Sequence, residues 1–177
     1  MRNFEEIEIQ VPQDDSAELG EKLFLYGLIR AIKPELVVET GTHRGKTTLY
    51  MAEALLDNQK GRLITYDPFD TWDQKGNFRK FPEHEKIITF RKAEGKTCQE
   101  ENIDLFFCDG YHDKQTVIEE VSAILPRLSP NAIVIFHDCA YPSNEACDVN
   151  GAIEALGLKT IWIPSHNKMR IYEHGNT

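Results

Sequence analysis

The segment Leu36-Val37-Val38-Glu39-Thr40-Gly41-Thr42-His43-Arg44-Gly45-Lys46-Thr47 passes from three apolar residues, through an acidic and glycine-bearing turn, into a polar start of the next element. It reads as a short buried strand, a tight turn at Gly41 and Gly45, and a helix from Lys46 to Leu56 that closes near Gly61. A strand that enters a helix through such a turn is half of a parallel crossover unit, so the fold depends on how often the pattern recurs. Two common uses of the turn fail on spacing. A phosphate-binding loop follows GxxxxGK[ST], and Gly41 and Gly45 enclose one residue too few. The dinucleotide fingerprint needs a further glycine where Thr42 or His43 stands.

The pattern does recur. Upstream, residues 1–15 are polar and read as peripheral, and Ser16 to Ile32 carry Leu19, Leu23, Leu25, Tyr26, Ile29 and Ile32 at helical spacing. Ser16 is placed to cap that helix and Pro34 to stop it. Downstream, Leu63–Tyr66 is a strand ending at Asp67-Pro68, and residues 69–85 make a partly helical excursion over the sheet. Ile87–Phe90 and Ile103–Cys108 are further strands, the latter apolar enough to be covered on both faces. A helix from Lys114 to Leu128 leads to the strand Ala132–Phe136, which ends at His137-Asp138. A helix around Glu145–Leu156 precedes two strands, Thr160–Ile163 and Met169–Tyr172, joined as a hairpin through Pro164-Ser165-His166-Asn167. The expectation is one domain over residues 1–177 with its core in 16–173. It is a three-layer, Rossmann-like α/β fold whose mostly parallel sheet carries an antiparallel hairpin strand at one end.

Composition narrows the function. The chain has 177 residues, 41% hydrophobic, with 20 Lys and Arg against 29 Asp and Glu, a net charge of -9. That sign, without a basic run interleaved with aromatics, disfavours a nucleic-acid partner. No apolar run is long enough to span a bilayer, and the opening Met1-Arg2-Asn3-Phe4-Glu5-Glu6 lacks a secretion signal, which makes the cytoplasm the expected location. Cys98, Cys108, Cys139 and Cys147 have no metal-site spacing; Cys108 reads as core and Cys139 as a strand-end residue beside the cleft.

In an open parallel sheet, ligands bind beyond the carboxyl ends of the strands. Four polar constellations fall at that edge: Glu39 to Gly45, Asp67, Asp109-Gly110-Tyr111-His112, and His137-Asp138-Cys139. A glycine turn that is no phosphate loop suits the amino-acid end and sugar of a non-phosphorylated nucleoside, with Asp67 accepting two ribose hydroxyls. The plainer alternative makes the glycines a tight turn and Asp67 a helix cap or solvated strand end.

Taken together, Glu39–Gly45, Asp67, and Asp109-Gly110-Tyr111-His112 followed by a helix and then Ile133–Asp138 resemble the class I S-adenosylmethionine-dependent methyltransferases. The closest likeness is to the small-molecule branch called methyltransferase family 24, related in outline to catechol-type O-methyltransferases; it spans about residues 16–173. The resemblance implies a seven-stranded sheet with the last strand antiparallel, and S-adenosylmethionine as cofactor. It puts Glu39, Gly41, Thr42, His43 and Gly45 beside the methionine part, Asp67 on the ribose, Ala93 and Glu94 at the adenine, and Asp109 near the transferred methyl group.

Methyl transfer needs proximity, alignment and a deprotonated acceptor. His112 or His137 could take the acceptor's proton as a general base. Alternatively Asp109 and Asp138 could bind Mg²⁺, which lowers the acceptor's pKa. Catechol-type enzymes place an Asn after the second strand-end Asp, whereas Cys139 stands here. His112 could instead cap the next helix, where Asp113 is the better candidate, and His137 could simply pack beside the sheet. Trp72, Phe78 and Phe81 could shape an acceptor pocket or anchor local packing, and Tyr141 is another pocket candidate. The expected partner is a small-molecule methyl acceptor, with a homodimer if the first long helix presents an apolar face. The competing functions are a cofactor-binding protein of this fold with other or lost chemistry, and a nucleotide-binding or interaction module.

Overall fold

The computed structural model describes residues 4–12, 17–140 and 147–175. Helices α1 (Phe4–Gln10), α2 (Leu19–Ile32), α3 (Lys46–Asn58), α4 (Gln74–Arg79), α5 (Pro82–Glu85), α6 (Lys114–Ile124) and α7 (Val149–Ala155) surround seven strands. These are β1 (Leu36–Thr40), β2 (Arg62–Tyr66), β3 (Ile88–Arg91), β4 (Ile103–Cys108), β5 (Leu128–Phe136), β6 (Ile161–Ile163) and β7 (Met169–Glu173). They form one sheet in the order β3-β2-β1-β4-β5-β7-β6. The first five are parallel, and β7 is antiparallel to both neighbours. The expected antiparallel strand is therefore present but does not lie at the end of the sheet: β7 inserts beside β5, and β6 takes the edge.

Strand alternation sorts the core into two layers. Val38, Ile64, Phe106, Val134 and Phe136 face α6 and α7, meeting Val117, Val121 and Ile153. Val37, Leu63, Leu105, Phe107 and Ile135 face α2 and α3, meeting Leu25, Ile29, Met51 and Leu55. Phe106 and Phe107, consecutive and fully buried, are one on each face; each such burial is worth about 1.5–3 kcal/mol. On α2 the apolar stripe divides: Leu25, Tyr26 and Ile29 are buried, while Leu19 and Leu23 face outward.

Three sequence expectations need correction. Residues 1–15 are not merely peripheral. Ile7 of α1 and the following Val11 are fully buried against Leu49, Tyr50, Phe78 and Phe81, and Phe4 stacks on Tyr50 at 4.6 Å between ring centroids. Their spacing at 4, 7 and 11 makes one apolar helical face inside an acidic segment. The helix expected to reach Leu128 ends at Ile124 because Pro126 turns the chain into a 3₁₀ turn, after which Leu128 already belongs to β5. The helix expected from Glu145 starts at Val149, capped by Asp148, whose Oδ1 accepts the Gly151 N–H at 3.0 Å. Ser16, Tyr141 and Glu145 lie outside the described residues. Among those described, no helix is long and apolar enough to cross a membrane.

Strand order reverses between β1 and β4, which pair directly while their crossovers leave on opposite sides. A crevice opens beyond the carboxyl ends at such a point.

Candidate active site

The turn after β1 lies over that switch point. Gly41 has φ 84°, and a Cβ built on it would fall 1.9 Å from the Asp109 carbonyl oxygen, so only glycine lets the two loops touch. Gly45, φ 82°, has another reason: its Cβ would strike the Phe78 ring at 2.3 Å. Its glycine serves packing against α4, and neither Gly45 nor Glu39 is among the residues that line the crevice. Glu39 lies fully buried, where Oε2 accepts the Thr48 hydroxyl at 2.6 Å and the Thr65 hydroxyl also favours its charged form. Burial pushes its carboxyl up to about 8, reinforced by the charges of Asp109 and Asp67.

The crevice holds about 300 Å³. Gly41, Thr42, His43, Asp67, Glu94 and Asp109 line it, so most of the residues singled out from sequence converge. Asp67 is no solvated strand end. It is 7% exposed, its Oδ2 accepts the His43 N–H at 2.8 Å and its Oδ1 the Phe69 N–H at 2.9 Å. A carboxylate retains lone pairs for further donors in the crevice. Ala93 packs against the core instead of lining the hollow. Glu120 of α6 does line it and was not apparent from sequence, where it sits on an ordinary polar helix face. Its Oε2 accepts the Thr40 hydroxyl at 2.9 Å, and burial raises it to about 7.

Trp72, Phe78 and Phe81 divide between their two possible roles. Phe78 and Phe81 are buried with Ile7 and Val11, while Trp72 stays 38% exposed at the crevice, with the Arg44 guanidinium 4.8 Å from its ring centroid. Phe69 and Tyr111 stand half-exposed on the same rim, 6.4 Å apart.

The ends of β4 and β5 bring Asp109, His112, His137 and Asp138 into one cluster on the crevice wall. His112 Nε2 is 2.9 Å from Asp138 Oδ2 and 3.9 Å from Asp109 Oδ1. It is not the helix cap: Asp113 Oδ1 accepts the Thr116 N–H at 3.0 Å. His137 is 3% exposed, with Nδ1 2.8 Å from Asp109 Oδ1 and 3.2 Å from Asp138 Oδ2. That nitrogen is aligned for a hydrogen bond with neither. Burial works against charge on both imidazoles, but Asp109 and Asp138 outweigh it, raising His112 to about 9 and His137 well above the usual histidine range. Burial likewise opposes ionisation of Asp138, yet the two histidines hold it well below the usual carboxylate range. Asp138 also adopts φ 54°, a left-handed conformation that costs a non-glycine residue about 1 kcal/mol or more.

Asp109, His137 and Asp138 each offer one ligand atom, all within 4.8 Å of one another. A buried imidazole nitrogen facing two carboxylates without an aligned hydrogen bond fits a divalent cation. The group contains both residues expected from sequence as a metal pair, Asp109 and Asp138, with His137 beside them. Cys139 does not join: it is buried, with Sγ turned to the carbonyls of Phe136 and His137 at 3.8 and 3.5 Å. Sequence reading also missed Glu21 of α2, which is 1% exposed with Oε2 2.9 Å from His137 Nε2. Burial raises it, but His137, the Ser165 hydroxyl and the Glu18 N–H bring it down to about 2. Its only sequence signal was a Glu18-x-x-Glu21 capping box at the start of the helix.

The doubly wound sheet with an antiparallel last strand, the glycine turn after β1, the acidic residue after β2 and the crevice over the switch point match the architecture of the class I S-adenosylmethionine-dependent methyltransferases. Residues 38–139, more than half of the chain, match the family described as a methyltransferase domain (Methyltransf_24), and the chain belongs to that family. Similar solved structures include an O-methyltransferase from Bacillus cereus in complex with SAH (TM-score 0.76, 16% identity, 97% of this chain and 90% of that one). Another is the SAH-bound methyltransferase PaMTH1 of Podospora anserina (TM-score 0.74, 18% identity, 98% and 86%). At such identities these likenesses speak for the fold. The uncharacterized protein y4gI of Sinorhizobium fredii is 29% identical over 140 residues, which is 70% of this chain and 15% of that protein. The chain therefore spans about 15% of the length of that curated relative.

Proposed function

We propose that this chain transfers the methyl group of S-adenosylmethionine to an oxygen of a small molecule, and that Asp109, His137 and Asp138 hold a divalent cation such as Mg²⁺ or Mn²⁺ beside the transfer site. The observation that carries this reading is the three-donor cluster on the wall of the same hollow that Gly41 and Asp67 line. Asp67 would accept from the ribose hydroxyls, the Gly41–His43 backbone would approach the methionine part, and Glu94 and Glu120 would border the adenine. Glu39 would support the turn from beneath, since it does not reach the hollow.

Transfer is an in-line displacement, so the chain's main task is to hold the acceptor oxygen opposite the sulfur along the methyl axis and to exclude water. When bound, the cation would polarise the acceptor hydroxyl and lower its pKa. Histidine as the sole general base is less well supported. Asp109 and Asp138 favour the protonated form of both imidazoles, and a protonated imidazole cannot take a proton. The rim of Trp72, Phe69 and Tyr111 suits a flat or apolar portion of a ligand.

Calorimetric titration with S-adenosylhomocysteine, repeated with Mg²⁺ and with EDTA, tests both halves. Binding of the product analogue is expected in either medium, with methyl transfer to small hydroxylated acceptors lost in EDTA. Failure to bind S-adenosylhomocysteine would overturn the cofactor site; methyl transfer undiminished by EDTA would overturn the cation.

A further inference from the structure

We propose that Glu21 is a positioning residue that fixes the His137 ring with its proton on Nε2, so that Nδ1 faces Asp109 and Asp138 as a donor to the divalent cation. The inference rests on the cation reading above and assigns a role to a residue 116 positions away in the chain.

A carboxylate only accepts hydrogen bonds, so an imidazole nitrogen 2.9 Å from Glu21 Oε2 must carry the proton. Without a cation, Asp109 and Asp138 favour a second proton on Nδ1; a cation bound there would displace it, and the neutral ring, with its one N–H on Nε2, then offers the Nδ1 lone pair. Nδ1 is the nitrogen that lies 2.8 Å from Asp109 Oδ1 and 3.2 Å from Asp138 Oδ2. The reverse tautomer would leave Nε2 and Glu21 as two acceptors facing each other in a site that water does not reach.

Glu21 is itself held from several sides. Oε2 also accepts the Glu18 N–H at 2.9 Å, and Oε1 accepts the Asn167 N–H at 2.9 Å from the turn between β6 and β7. The start of α2 and the tip of the hairpin thus lock the carboxylate before it orients the ring. A fully buried carboxylate costs several kcal/mol unless its oxygens are satisfied, so the site is costly for mere packing. Ligating histidines commonly donate their second ring N–H to such a carboxylate, and losing that partner weakens metal affinity about 10–100-fold.

The test compares wild type with Glu21→Met, which keeps an unbranched side chain and removes the acceptor. Mn²⁺ and S-adenosylhomocysteine are titrated separately by calorimetry. The expected result is a loss of about 10–100-fold in Mn²⁺ affinity with S-adenosylhomocysteine affinity unchanged. Mn²⁺ affinity within about threefold of wild type overturns the inference. Should the variant not fold, long-range ¹H–¹⁵N correlation of the histidines in Mg²⁺-saturated wild type decides: a His137 proton on Nε2 alone supports the role, and one on Nδ1 refutes it. Wild type that binds S-adenosylhomocysteine but no divalent cation would overturn the cation reading and this inference with it, leaving the cofactor site standing.

Discussion

Replacing Asp67 by Ala should weaken S-adenosylhomocysteine binding about a hundredfold. The carboxylate faces the hollow while its two oxygens accept the N–H groups of His43 and Phe69 at 2.8 and 2.9 Å. In the proposed complex it also accepts two ribose hydroxyls, and a hydrogen bond to a charged group is worth about 1.5–3 kcal/mol. Two such bonds, offset by water that enters the emptied site, leave roughly 3 kcal/mol, and about 1.4 kcal/mol is a factor of ten in affinity. The two orphaned backbone donors lie beside the hollow, so water can reach them and the loss of fold stability should stay near 1–2 kcal/mol. Asp67→Asn keeps one accepting oxygen and should lie between, near a tenfold loss. Calorimetric titration gives the affinities, and a thermal melt shows whether the fold survives. An Asp67→Ala protein that melts cooperatively and binds within about threefold of wild type would refute the ribose contact.

Asp138→Ala should leave S-adenosylhomocysteine affinity nearly unchanged while lowering turnover roughly a hundredfold or more, because it removes a proposed cation ligand rather than a cofactor contact; a turnover assay beside the titration separates the two. Glu39→Gln mimics the protonated acid. The Glu39 carboxyl ordinarily ionises near 4.5 and is raised to about 8 in the fold, so between those values the folded state holds a proton that the unfolded state releases. The Glu39 contribution to stability therefore falls as pH rises across that window, and Glu39→Gln should exceed wild type by more than about 1 kcal/mol at pH 8 but not at pH 4, read from urea midpoints. Gly41→Ala should cost about 3 kcal/mol or more, since its Cβ would meet the Asp109 backbone at 1.9 Å, whereas Gly157→Ala, with similarly positive φ and open space around it, should cost about 1 kcal/mol in a thermal melt.

The parts of the fold legible in sequence were those with local causes. Strand β4 was read to the residue because Ile103–Cys108 is an unbroken apolar run, and the turn after β1 because its glycines punctuate a strand and a helix. The acidic residue ending β2 and the His-Asp pair ending β5 were found the same way, since a strand's last residue announces its position. What sequence did not disclose depended on distant partners. Helix α1 looked like an acidic tail until Ile7 met Leu49 and Tyr50, and β7 could not be placed beside β5 from a hairpin whose docking edge has no local mark. Nor did sequence disclose that a Cβ at Gly45 would strike the Phe78 ring. Glu21 and Glu120 each sit where a polar helix face would put a solvated glutamate, and only the folding of α2 and α6 onto the sheet edge buries them.

That edge also shows how one fold gives neighbouring carboxyls opposite states. Glu39 is surrounded by apolar strand and by hydroxyls such as that of Thr48, which bring no compensating charge, so it is held as the neutral acid beneath the turn. Asp138 is also largely enclosed, but it faces His112 at 2.9 Å and His137 at 3.2 Å, and stays ionised. The difference lies in the partners: Glu39 meets the Thr48 hydroxyl on α3, whereas Asp138, in a left-handed turn, faces the two imidazoles. The wall that carries Asp109 and Asp138 thus pairs its carboxylates with imidazoles, and in the proposed complex a divalent cation would take the place of the His137 proton between them. The two states follow from burial without a charged partner at Glu39 and from the two facing histidines at Asp138.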